Sequence, residues 1–205
     1  MWPWEHAIVG YLVYSLVSRV VFREPPGGLE AFAVVFASVL PDLIDKPLAW
    51  EYGVFETGYA LGHSIFFALP LAICVGLLAR AAGRSRAGLA FGLGYLLHLP
   101  ADVLHHYAVR GVVQWELMLW PVDSVPDTHG HGIVEGFSRL FSDYSAALLA
   151  GDLSTYMWLQ VGLAVFTFLL WLADGAPVAR DFVLAVKRLL VGALSGVGDG
   201  PQRSK

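Results

Sequence analysis

Apolar positions along this chain fall in long blocks. They do not alternate as in strands, and they do not form the narrow stripe of a soluble helix. A bilayer core of about 30 Å needs roughly 20 mostly apolar residues per helix. Five blocks meet that length: about 6–22, 29–49, 58–79, 87–108 and 155–173. The pattern therefore predicts an all-α, polytopic membrane protein with about five transmembrane helices, built as a single membrane domain over 1–205. The stretch 109–154 is more polar and holds Pro121 and Pro126. It is expected to form an outer cap with one or two short helices. After 174 comes a basic amphipathic helix, about 178–194, suited to the headgroup layer, and then a polar tail to 205. Pro41 is expected to break the second block, and Pro70 and Pro100 interrupt the hydrogen-bond ladders of the third and fourth. Gly88 and Gly92 form a small-xxx-small pair, with Gly94 beside them, for close helix contact.

Composition strengthens this picture. Hydrophobic residues make up 57% and charged residues 15%, against about half and a quarter in soluble domains. A net charge of −4 gives no basic footprint for nucleic acid, and none is expected as a partner. The single cysteine, Cys74, excludes an internal disulfide or a thiolate-rich metal site. It is read as inert packing in an apolar stretch. The start carries two Trp before His6 and no Lys or Arg, so the first block reads as a span and not as a signal peptide.

Charge sets the expected orientation. With five spans, Arg19, Arg23, Arg80, Arg84, Arg86 and the basic residues after 174 share one side, ten against three. Lys46, Arg110 and Arg139 fall on the other. Positive charge marks the cytoplasmic face, which predicts N-terminus out and C-terminus cytoplasmic in a cell (inner or plasma) membrane. Under this topology all seven histidines lie toward the outer side. Asp42, Asp45 and Asp102 join them there. The inner halves of the spans look bare of ionisable groups apart from Arg19, which argues against transport through the whole membrane.

The outer residues have the spacing of ligands. His98, Asp102 and His105 stand at intervals of four and seven, on one helical face. Imidazole and carboxylate suit zinc or a similar divalent ion, manganese included. An interhelical hydrogen-bond pair, or an Asp neutralised by burial, would also explain them. Asp42 and Asp45 share a face at spacing three, although Asp45 could simply be solvated with Lys46 as its counterion. His63, between Gly62 and Ser64, is either a ligand or a packed core histidine; Gly62 permits close backbone approach. His6 could complete the set. His131 and Glu135 form another pair at spacing four, a candidate second site, though Gly130 and Gly132 favour a loop there. His105 or a free carboxylate such as Asp42 could act as catalytic base.

Taken in order, His6, the PDLID element (Pro41, Asp42, Asp45), the GHS element (His63, Ser64) and the HLPAD element (His98, Asp102) resemble a family of membrane-bound metal-dependent hydrolases, often labelled LexA-binding inner-membrane hydrolases. The resemblance covers roughly residues 1–125. The family is distantly similar to zinc-dependent phospholipase C, whose ligands include His-x-x-x-Asp and His-x-x-x-Glu. Where relatives commonly carry His-Arg-Gly before Thr-His-Ser, this chain reads Gly58-Tyr59-Ala60-Leu61-Gly62-His63-Ser64, with one His and one Arg fewer. The resemblance implies a hydrolase of a phosphoester or ester in a lipid-like or membrane-associated substrate. A non-catalytic metal-binding or structural membrane protein is the alternative.

Overall fold

The computed structural model describes residues 1–125, 132–151 and 154–196. Among them every regular element is helical: α1 (Pro3–Val17), continued by a π-helical turn Ser18–Phe22, then α2 (Gly28–Trp50), α3 (Ile65–Ala81), α4 (Ser85–Arg110), a 3-10 turn Trp115–Met118, α5 (Ile133–Ala150), α6 (Thr155–Ala173) and α7 (Ala179–Gly196). The all-helical expectation holds. Three helices are long and apolar enough to cross a membrane: Pro3–Phe22, Ser85–Arg110 and Thr155–Ala173; Ile65–Ala81 is apolar but shorter. The helix α2 is long enough but carries Glu30, Asp42, Asp45 and Lys46.

Local chemistry explains the helix limits. Pro3 opens α1, where its missing N–H costs nothing, and Glu5 accepts from the Trp2 amide at 2.9 Å. Gly83 and Gly111 follow α3 and α4 with φ of 71° and 72°, the left-handed region that suits glycine. Ser154 caps α6, its Oγ accepting from Met157 N at 3.2 Å.

Two boundaries differ from expectation. Pro41 does not break the second element: α2 continues through Pro41 and Pro47 to Trp50. One proline removes a single N–H, and here the rest of the helix is held by packing. The third helix begins at Ile65 and not near 58. Residues 51–64 are drawn out of helix because Asp45 accepts hydrogen bonds from the amides of Ala60, Gly62 and His63. Within 109–154 the described residues hold the expected short helix at 115–118 and a longer one, α5.

The helix α4 is the centre of the bundle, packing most extensively on α2 and then on α3, while α1 lies across both α2 and α4. Absent side chains allow this. A Cβ on Gly94 would lie 2.4 Å from Val34 O, and one on Gly10 would lie 2.0 Å from Ser38 Oγ. Ser38 thus marks a point where α1, α2 and α4 nearly touch. Gly88 similarly admits Ala79 of α3, whereas Gly92 makes only ordinary contact with Ala72, so the small-residue pair predicted at 88 and 92 is half right. Tyr14, Tyr95, Leu99 and Val34 fill the interior. By contrast, only 6% of the apolar window of α6 is buried. A helix apolar all round and so exposed belongs in lipid. Cys74 is likewise exposed, which corrects its reading as packing.

A polar tie fastens α6 to α1 at the opposite end from the histidines. Buried Asp174 accepts from Tyr11 and Ser15 at 2.7 Å each and from Arg19 Nε at 3.0 Å. The sequence reading overlooked it; an Asp directly after an apolar block was the available signal.

A buried histidine and aspartate group

Asp42, His63, His98 and Asp102 converge from α2, the 51–64 segment and α4. Each offers one ligand atom, and the four atoms lie within 4.8 Å of one another. All four residues are buried, none more than 3% exposed. The group could hold a metal ion. No other such group occurs among the described residues.

Hydrogen bonds to the backs of the two rings fix their tautomers. His98 Nδ1 lies 2.7 Å from the carbonyl oxygen of Ser38. A carbonyl only accepts, so Nδ1 carries the proton. His63 Nδ1 lies 2.8 Å from Asp45 Oδ2, and the same logic applies to a carboxylate. Neutral rings then present bare lone pairs at both Nε2 atoms. Those atoms face each other at 3.0 Å. Two lone pairs at that distance repel unless a cation, a proton or a metal ion, lies between or beside them. The Gly10 and Gly94 contacts matter here, since they set the Ser38 carbonyl against α4.

The carboxylates surround the same point. Asp102 Oδ2 is 3.3 Å from His98 Nε2 and 3.4 Å from His63 Nε2. Asp42 Oδ1 is 3.4 Å from His63 Nε2 and 3.8 Å from His98 Nε2. Neither oxygen of Asp42 makes a well-aligned hydrogen bond, although Lys46 Nζ stands 2.7 Å from Oδ1. Lys46 offsets the charge at Oδ1, but Oδ2 is left without a partner among the described residues, and a buried acceptor left unsatisfied costs about 1–3 kcal/mol. The arrangement is explained if the oxygens are directed at a ligand. Asp102 Oδ1 also meets the Met1 amino group at 2.7 Å.

The other candidates fall around this group. Asp45, read from sequence as a ligand, is instead fully occupied by three backbone amides and His63 Nδ1. It orients His63, the carboxylate–histidine arrangement common behind metal ligands. Gly62 makes this possible: a Cβ there would lie 2.8 Å from Pro41 O and 3.2 Å from Asp45 Cγ. His6 stacks on His98 with centroids 3.6 Å apart. Its Nε2 is 3.2 Å from Asp102 Oδ1, yet both its ring nitrogens lack hydrogen-bond partners. His105 does not join. Seven residues carry it about 10 Å along the helix axis from His98, where its Nδ1 lies 2.7 Å from Tyr156 OH. His106 turns back onto Asp102 O at 3.1 Å. Glu135 is exposed in the first turn of α5, and its expected companion His131 lies outside the described residues. Ser38, whose backbone orients His98, carries no sequence signal of its own, because any residue offers a carbonyl.

No curated protein and no solved structure is significantly similar to the chain. A family profile does match, over residues 1–179, which takes in α1 to α6 and every residue of the buried group. The chain belongs to the YdjM inner membrane protein family.

Proposed function

We propose that this protein is a membrane-bound, metal-dependent hydrolase that cleaves a phosphoester or ester in a lipid-like or membrane-associated substrate. The observation that carries the metal reading is the pair of Nε2 lone pairs held 3.0 Å apart. Zinc binds imidazole and carboxylate at about 2.0–2.2 Å, so neighbouring corners of a zinc tetrahedron stand roughly 3.3–3.6 Å apart. Three of the four separations between imidazole nitrogens and carboxylate oxygens, 3.3, 3.4 and 3.4 Å, fall in that range and the fourth, 3.8 Å, lies just outside it; the two Nε2 atoms at 3.0 Å are closer than a tetrahedral edge and would part by a few tenths of an ångström around an ion. His63, His98, Asp42 and Asp102 would be the ligands, with zinc preferred by donor type and manganese as the alternative.

A bound divalent ion would supply Lewis acidity and a more acidic water. The chain's own residues would do the rest. Asp45 and Ser38 hold the two rings in their working tautomers. His6 Nε2 faces Asp102 Oδ1 at 3.2 Å and would carry the ring proton, which leaves Nδ1 as the His6 atom able to accept a proton. His105 lies one turn farther out and could relay a proton through Tyr156. The apolar surroundings exclude bulk water and strengthen each charge interaction.

The second reading, a closed structural metal site, is favoured by one observation: four protein donors, all buried, leave no evident open corner. The deciding assay incubates zinc-loaded protein in detergent with phospholipids and generic phosphodiesters. Metal-dependent turnover that disappears in His98→Ala is expected. Equal rates for wild type and variant across the panel, with zinc bound stoichiometrically by the wild type, would leave the structural reading standing.

The same proposal sets the five helices α1, α2, α3, α4 and α6 across the membrane, with the metal group toward the non-cytoplasmic side. The ten-to-three division of basic residues supports it. In a Cys74→Ala background, Glu56→Cys should react with an impermeant thiol reagent on intact cells, and Arg84→Cys should not. The reverse labelling would invert the orientation.

A further inference from the structure

The two carboxylates of the buried group use their oxygens differently. Asp102 divides its contacts. Its Oδ2 meets the rings, 3.3 Å from His98 Nε2 and 3.4 Å from His63 Nε2, while Oδ1 meets the Met1 amino group and His6. Asp42 does not divide them. Its Oδ1 lies 3.4 Å from His63 Nε2 and 3.8 Å from His98 Nε2, and that same atom has Lys46 Nζ at 2.7 Å. Lys46 is the one Lys or Arg among the described residues that pairs with a member of the group.

An ammonium and a metal ion therefore contend for one oxygen. A zinc ion on Oδ1 at about 2.0–2.2 Å would stand at most about 5 Å from Nζ. Like charges that close, in a buried setting, repel strongly, and the divalent charge doubles the effect. Two carboxylates and two neutral rings carry two negative charges, which a divalent ion balances without help from Lys46. A second resting place for the ammonium already exists. Lys46 lies one helical turn past Asp42 on α2, its side chain is 20% exposed, and Nζ stands over the Trp50 ring, 5.8 Å from the centroid, within cation–π range. An ammonium that leaves Asp42 keeps the ring and gains water.

We propose that Lys46 determines which ions the buried group accepts: its ammonium holds Asp42 Oδ1, and a divalent ion binds by displacing it. The exchange depends on Asp42, His63, His98 and Asp102 being metal ligands, and not on hydrolysis. It breaks one ion pair and forms one metal–carboxylate bond, and no proton has to move. A pair formed roughly 90–99% of the time weakens the apparent affinity of every ion by about 10- to 100-fold. Zinc, which suits imidazole as well as carboxylate, overcomes that factor. Magnesium and calcium, which favour oxygen donors alone, do not.

The test uses the full chain in detergent and has two readouts. Competition titration is expected to show zinc and manganese binding about 10- to 100-fold more tightly in Lys46→Met than in the wild type; Lys46→Gln serves if Lys46→Met fails to fold. Arg110→Met, which removes an exposed charge at the end of α4, should change zinc affinity little. The second readout follows the wild type directly, by pulse acetylation of amines and peptide mass spectrometry. Labelling of Lys46 should rise severalfold when zinc binds, with the exposed Lys187 of α7 as the unchanged reference. Stoichiometric zinc with no rise at Lys46, or a Lys46→Met affinity equal to or weaker than wild type, would overturn the exchange and leave the metal reading in place. Arg110→Met tightening zinc as much as Lys46→Met would also overturn it, because overall charge would then explain the gain. Failure of both the wild type and Lys46→Met to bind zinc would remove the metal reading, and the exchange with it.

Discussion

Replacing His98 by alanine is expected to lower zinc affinity by at least a hundredfold, and replacing Asp102 by asparagine to do nearly as much. Structural zinc binding in small sites amounts to about 10–16 kcal/mol. Divided over four donors, one ligand contributes about 3 kcal/mol, which is about two powers of ten. His98 holds two roles at once. Its Nε2 faces His63 Nε2 at 3.0 Å, and its Nδ1 is anchored on Ser38 O. Asp102 supplies charge that an amide lacks. Asp45→Asn should behave differently. Asp45 would act on a bound ion only through His63, so its loss should weaken binding by about 10- to 100-fold, the usual range for a residue behind a ligand. Competition titration of purified protein against a zinc-chelating dye measures all three. If Asp45→Asn proves as damaging as His98→Ala while the fold persists, Asp45 is a ligand and its assignment here is wrong. If none of the three alters zinc binding, the group is not a metal site.

Gly94→Ala is expected to be the most damaging of the conservative helix substitutions. Alanine is ordinarily the better helix former, by about 1 kcal/mol. Here the new Cβ would meet Val34 O at 2.4 Å and Ser38 Oγ at 3.0 Å. The first neighbour is backbone and cannot rotate away, so α2 and α4 must part. Overpacking of this kind typically costs about 1–3 kcal/mol. Because Ser38 O anchors His98, separation of the helices should also weaken zinc binding. Gly76→Ala is the control: it lies in the α3 helix with open space around it, and should be neutral or slightly stabilising. Thermal unfolding in detergent, followed by dye accessibility of buried groups, reads the difference. Equal melting temperatures for the two variants would contradict the close approach.

Much of this was legible in the chain. Long apolar blocks fixed the helical membrane class, because a backbone in hydrocarbon must satisfy its own hydrogen bonds. The histidines together with Asp42, Asp45 and Asp102 marked out the candidate site in the sequence, while Asp174 at the other end was missed. Spacing of four identified His98 and Asp102 as neighbours. Their partners Asp42 and His63 were also in view as candidates.

Roles within the group were decided by tertiary structure. Asp42 and Asp45 share a face on a helical wheel, yet Asp42 meets His63 and His98 in the buried group while Asp45 is surrounded by the amides of Ala60, Gly62 and His63. Periodicity cannot tell which carboxylate a distant loop will wrap. It also could not separate His105 from His98: their shared angle conceals an axial displacement that puts His105 against Tyr156, 51 residues away. The approach of α1, α2 and α4 at Ser38 depends on which glycines face one another, and Gly10, Gly88, Gly92 and Gly94 look alike in sequence. Sequence specifies each helix and the residues each face carries, because those follow from bonds within three or four positions. Rotation and depth of one helix against the next arise from contacts between residues far apart in the chain, and those contacts determine which atoms meet.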